Sequence, residues 1–176
     1  HEPGCSGGAL SMRGALTRDE PATALTRRLG MAFTQLFEGA GGPRTVSPFE
    51  SVHASPSGRL FQASSSAMDR RLRRARTAPG TGLREPSDHL SIELALLARL
   101  MRDPASLGEQ AGLLDDHLLA WVPGFTRGVE SNDPGGFYAG AAVVLLGFLT
   151  ERRTVLMNRA PAPGRRARFA SQDGNL

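Results

Sequence analysis

The chain has 176 residues and a mass of 18.7 kDa, enough for one domain around a single core and too little for a multi-domain machine. With 40% apolar and 22% charged residues it can bury a core, which excludes a globally disordered chain. The 23 Leu and 23 Ala stand against seven Val and one Ile, a balance that favours helix over sheet. The net charge is +4 and every basic residue is arginine; five lie in 70–76 and four in 158–176, and without those two segments the remainder carries a net charge of −4. The body is therefore acidic, and its basicity is local. One cysteine excludes an intramolecular disulfide and a cysteine-rich zinc site, and fits a reducing compartment.

The fold class expected is all-α: a single helical domain over 19–157, with a hinge at 77–87 between an N-terminal and a C-terminal helical group. Residues 1–18, rich in glycine, read as a flexible N-terminus, and 1–12 lack the charged start and apolar run of a signal peptide. From Asp19, the residues Ala22, Leu25, Leu29, Ala32, Phe33, Leu36 and Phe37 recur at three- and four-residue steps, with Pro21 at the start and Gly39 just past the end. These mark an amphipathic helix. A loop over 39–64 follows, too long for a mere connection, with Pro48, Phe49 and Val52 as apolar anchors. A short helix over 65–76 carries Met68 and Leu72 on one side and arginines on the other. The Gly/Pro stretch 77–85 is the hinge.

The helix expected over 88–101 carries a stripe of Leu90, Leu94, Leu97, Leu100 and Met101, with Asp88 in its first turn. The next, over 104–122, is expected to stop at Pro123. A short helix at 125–130 and a last one over 134–156 complete the body. The apolar interior 138–149 of the last helix implies burial on most sides, and it is too short to cross a bilayer, which needs about 20 residues. The segment 158–176 reads as a disordered basic tail.

Glycine-rich phosphate loops, nucleophile elbows and His-Glu-x-x-His helices are absent from the sequence. His89 and Glu93 stand four apart and could join His117 as metal ligands of a helical hydrolase. Helix-end bonding explains the first two as well, and neither a metal nor a cofactor is expected. Arginines 70–76 could meet a phosphate backbone, but no aromatic residues interleave them for base stacking, so a solvated charged face is the simpler reading.

Three segments together carry a resemblance. Leu36-Phe37 is followed by Ser47-Pro48-Phe49-Glu50-Ser51-Val52-His53, then by Glu85-Pro86-Ser87-Asp88-His89-Leu90 with Glu93, then by His117-Leu118-Leu119-Ala120-Trp121-Val122-Pro123-Gly124-Phe125. In order and spacing they resemble the TorD/DmsD/NarJ family of molybdoenzyme maturation chaperones. The resemblance implies a non-enzymatic, cytoplasmic, all-α chaperone. Its partners would be the apo-form of a molybdopterin-dependent catalytic subunit and that subunit's N-terminal twin-arginine signal peptide. The chaperone would assist cofactor insertion and prevent premature export, without nucleic-acid binding or membrane insertion, as a monomer able to form a domain-swapped dimer. The binding residues it implies are Leu36, Phe37, Phe49, Glu50, Ser51, His53, Glu85, Pro86, Asp88 and His89. Trp121, at a helix break, reads as a buried core plug; in a second reading it adds apolar surface beside the carboxylates Glu50, Glu85 and Asp88, which suit the guanidinium groups of such a peptide. The chain departs from the family pattern at His53, where an aromatic is commoner, and before Leu25, where it reads as too short and glycine-rich for the usual first helices.

Overall fold

A computed structural model describes residues 3–17, 19–54, 63–76 and 86–159. Among the described residues eight α-helices run in order: α1 Pro3–Leu16, α2 Ala22–Phe37, α3 Glu50–Ala54, α4 Ala63–Arg74, α5 Leu90–Leu100, α6 Leu107–Leu113, α7 Leu119–Asn132 and α8 Phe137–Arg159. A π-helical turn over Leu114–Leu118 joins α6 to α7. Among the described residues there is no strand, only an isolated antiparallel bridge between Phe49 and His89. The all-α expectation holds.

One core gathers leucines from five helices: Leu36 of α2, Leu72 of α4, Leu96, Leu97 and Leu100 of α5, Leu113 of α6, and Leu149 and Leu156 of α8. Met68 and the run Leu114, Leu118, Trp121, Val122, Phe125 and Val129 complete it. Of the stripe expected on the 88–101 helix, Leu97 and Leu100 are buried, Leu90 and Leu94 are half-buried and Met101 is exposed. Asp103 caps the turn after α5 by accepting the Ala105 N–H at 2.9 Å. Gly39 adopts φ +83° directly after the C-cap of α2, a conformation that favours glycine. The Val46 N–H then bonds back to the Leu36 carbonyl at 2.7 Å and turns the chain toward α3.

Three expectations are corrected. Residues 3–16, read as flexible, form α1, which packs along α8. Glycine weakens a helix in isolation but lets two backbones approach: a Cβ on Gly140 would lie 2.5 Å from the Gly8 carbonyl oxygen, and one on Gly8 would lie 2.6 Å from that of Gly140. Second, α7 runs through Pro123 instead of stopping there. Proline cannot bond the Leu119 carbonyl, and that residue sits where the widened π turn gives way to α7, so the missing bond falls at a junction already irregular. Third, α5 begins at Leu90, and Asp88 lies ahead of it rather than in its first turn. The interior of α8 is mostly half-buried, because α1 and α7 cover it while Phe148 stays exposed. The hinge residues 77–85 and residues 160–176 of the tail lie outside the described residues. No helix of the described residues is long and apolar enough to cross a membrane.

Candidate functional site

The loop after α2 and the segment before α5 meet as two short extended stretches. The Glu50 N–H bonds the Asp88 carbonyl at 3.0 Å and the Leu90 N–H bonds the Pro48 carbonyl at 2.9 Å. Pairing two prolyl segments this way satisfies backbone groups that neither helix reaches. It also sets the Phe49 ring edge-on to His89, with centroids 4.8 Å apart.

Asp88 locks the junction. Its carboxylate is fully buried and accepts from the Ser51 N–H at 2.8 Å, the Ser65 hydroxyl at 2.5 Å and the Ser64 hydroxyl at 3.3 Å. Burial pushes its pKa up, but the bonds from Ser65 and Ser51 outweigh burial and hold it below the ordinary carboxylate value. This carboxylate therefore ties together α3, α4 and the start of α5. His89 is the N-cap of α5, its Nδ1 accepting the Ser91 N–H at 3.2 Å.

Beneath this junction lies a second polar group. Glu50, at the first position of α3, and His117, on the π turn, meet through Oε2 and Nδ1 at 2.7 Å, both buried. Glu93, fully buried on α5, accepts the Trp121 indole N–H at 3.1 Å through Oε2, while its Oε1 has no hydrogen-bond partner. Burial first, and then the neighbouring Glu50 carboxylate, push the Glu93 pKa up to about 9. Glu50, Glu93 and His117 each offer a ligand atom within 4.8 Å of the others, so these three, and not His89, Glu93 and His117, could hold a metal. The correction has a simple cause. Two residues four apart share a face only when both are helical, and His89 has the extended backbone of a cap, φ −74° and ψ 138°, which takes its ring off the face of Glu93.

An aromatic chain leads from the core to the surface. His53 stacks on Trp121 at 5.2 Å, Trp121 meets Phe125 at 5.6 Å, Phe125 stacks on Phe37 at 6.0 Å, and Phe37 meets Phe33 at 5.3 Å. His53 is held by a 2.7 Å bond from Nε2 to the Ser47 carbonyl. Phe33 is 43% exposed, so this chain ends on α2 in open apolar surface. Among the residues implied by the resemblance, Leu36, Glu50, Ser51, Pro86, Asp88 and Trp121 are buried, and Phe37, Phe49, His53 and His89 are half-buried. Glu85 lies outside the described residues. Of the arginines in 70–76, Arg71 turns back on the protein, to Asp116 at 2.5 Å and the Gly112 carbonyl at 3.1 Å.

One cleft opens beside the junction and another along α2, facing the turn between α7 and α8. The first, about 570 Å³, has Glu50, His117, Ser64, Arg70, Arg71 and Asp116 in its wall. The other, about 550 Å³, includes Arg27, Met31, Ala32 and Phe137.

The profile of the nitrate reductase delta subunit family matches residues 8–127. The chain belongs to this family. It is 36% identical over 157 residues to the chaperone protein TorD of Aeromonas salmonicida, covering 84% of this chain and 67% of that protein. It is 30% identical over 151 residues to TorD of Salmonella bongori, covering 85% and 68%. No solved structure matches. The family match begins at Gly8 and so includes most of α1, the helix the glycine content concealed. The pairing of Glu50 with Glu93 and His117 was also hidden from a reading of single motifs. Its one trace in the sequence is Glu93 itself, a lone acid on the leucine-rich run Leu90–Leu100.

Proposed function

We propose that this chain is a cytoplasmic, non-enzymatic chaperone. It binds the signal peptide and apo-form of a molybdopterin-dependent oxidoreductase subunit, assists cofactor insertion and holds back premature export. The observation that carries the reading is the match to chaperones named TorD over more than four-fifths of the chain. The geometry supports a division of labour. Phe37, Phe49, His53 and His89 present half-buried rings to the apolar stretch of the peptide, and the exposed Phe33 extends that surface. The buried residues Leu36, Glu50, Ser51, Pro86, Asp88 and Trp121 hold the loops that carry those rings, and Glu85 offers the peptide's arginines a carboxylate. The protein works as a monomer that can also form a domain-swapped dimer.

The test is calorimetry with the N-terminal peptide of a molybdoenzyme catalytic subunit. Wild type binds, and Phe49→Ala and His89→Ala weaken binding at least about tenfold, the loss of about 1.4 kcal/mol of contact. Equal binding by wild type and both variants would remove the site from the Phe49–His89 pair, and no binding by wild type would remove the function.

A further inference from the structure

We propose that Glu50, Glu93 and His117 form a binding site for one divalent transition-metal ion, with zinc as the best-matched occupant. Its donors are buried beneath the rings at the surface rather than among them.

The donor set favours such an ion. Two carboxylates and one imidazole are a mixed oxygen and nitrogen set, which suits zinc and its borderline neighbours rather than magnesium or calcium, which prefer oxygen alone. The donors come from three elements, α3, α5 and the π turn, and lie within 4.8 Å of one another, so a small closure of the side chains brings all three to one ion. All three side chains are buried. Holding both buried carboxylates in ionised form calls for more positive charge than one imidazole carries, and a divalent ion supplies it.

Two further observations point into the site. Oε1 of Glu93 is buried without a hydrogen-bond partner, whereas Oε2 is held by the Trp121 indole N–H. The indole thereby orients the carboxylate, as groups outside a ligand set commonly do, and leaves its other oxygen without a protein donor. The π turn is the second. Such turns arise mostly within otherwise regular helices and are frequent at functional sites, and this one spans Leu114–Leu118 with His117 buried within it and its neighbours Asp115 and Asp116 exposed. Glu50 and His117 also line the cleft of about 570 Å³, which gives an ion a route in and leaves room for a non-protein ligand on an open coordination position.

The test uses the full chain, stripped with a chelator and titrated with cobalt(II) chloride and then zinc chloride. One cobalt per chain is expected, with a visible ligand-field band that zinc abolishes, and zinc should raise the melting temperature. Glu93→Gln keeps a carbonyl oxygen for the Trp121 indole and removes one ligand; it should lower cobalt affinity at least about tenfold, the loss that changes even outside a ligand set produce. His117→Gln should do the same, and serves where Glu93→Gln does not fold by circular dichroism. Less than stoichiometric uptake by wild type overturns the proposal and leaves the group as an ion pair beside a protonated acid. Equal affinity in a folded variant also overturns it, by placing the metal on Cys5 or the other histidines.

Discussion

Asp88→Asn tests whether the residue before α5 acts as a clasp. The carboxylate is 0% exposed and accepts three hydrogen bonds, from the Ser51 backbone, Ser65 and Ser64. An asparagine of the same shape has one acceptor oxygen, and its amide group would face donors. One charge-assisted bond is lost, at roughly 1.5–3 kcal/mol, and a buried N–H is left without an acceptor, at roughly 1–3 kcal/mol. The expected loss is about 3–5 kcal/mol, a large share of the roughly 5–15 kcal/mol that holds a domain together. His89→Ala, which removes only an N-cap, should cost about 0.5–2 kcal/mol. Urea unfolding of both variants beside wild type measures the difference. Since the Asp88 pKa is lowered on folding, its stabilisation is complete above the unfolded value near 3.9 and is lost as pH falls through the folded one, and the variant lacks that acid limb. A cost for Asp88→Asn within about 1 kcal/mol of the His89→Ala cost would refute the clasp.

Leu97→Ala, at a residue 1% exposed in the core, should cost about 2–5 kcal/mol by calorimetric melting, whereas Met101→Ala, at 38% exposure, should stay within about 1 kcal/mol of wild type. Gly140→Val puts a branched side chain where even a Cβ lies 2.5 Å from the Gly8 carbonyl oxygen; a loss of about 1–3 kcal/mol is expected, with faster amide exchange in α1. Asp116→Asn breaks the pair with Arg71 in which the aspartate side chain is 64% exposed, and its unfolding midpoint in urea should move by no more than the equivalent of about 1 kcal/mol.

The helical class, the span of α2 and the core role of α5 were legible because three- and four-residue spacing and capping signals act within a few turns of the chain. The α2 pattern from Ala22 to Phe37, with Gly39 after it, needed no partner to be read. The pairing of Phe49 with His89, the three bonds that α3 and α4 make to the Asp88 carboxylate, and the meeting of Glu50 with His117 across 67 positions of sequence were not legible. Long-range contacts of that kind have no spacing rule. Glycine misled for the same reason: in α1 its low helix propensity is a local property, while its value at Gly8 depends on the backbone of Gly140, 132 residues away. Local sequence determined which segments would be helices and which residues sought burial; tertiary packing decided which carboxylates were enclosed, which rings stayed at the surface and which acids came to share one imidazole, because burial and electrostatic pairing depend on distance in space, not along the chain.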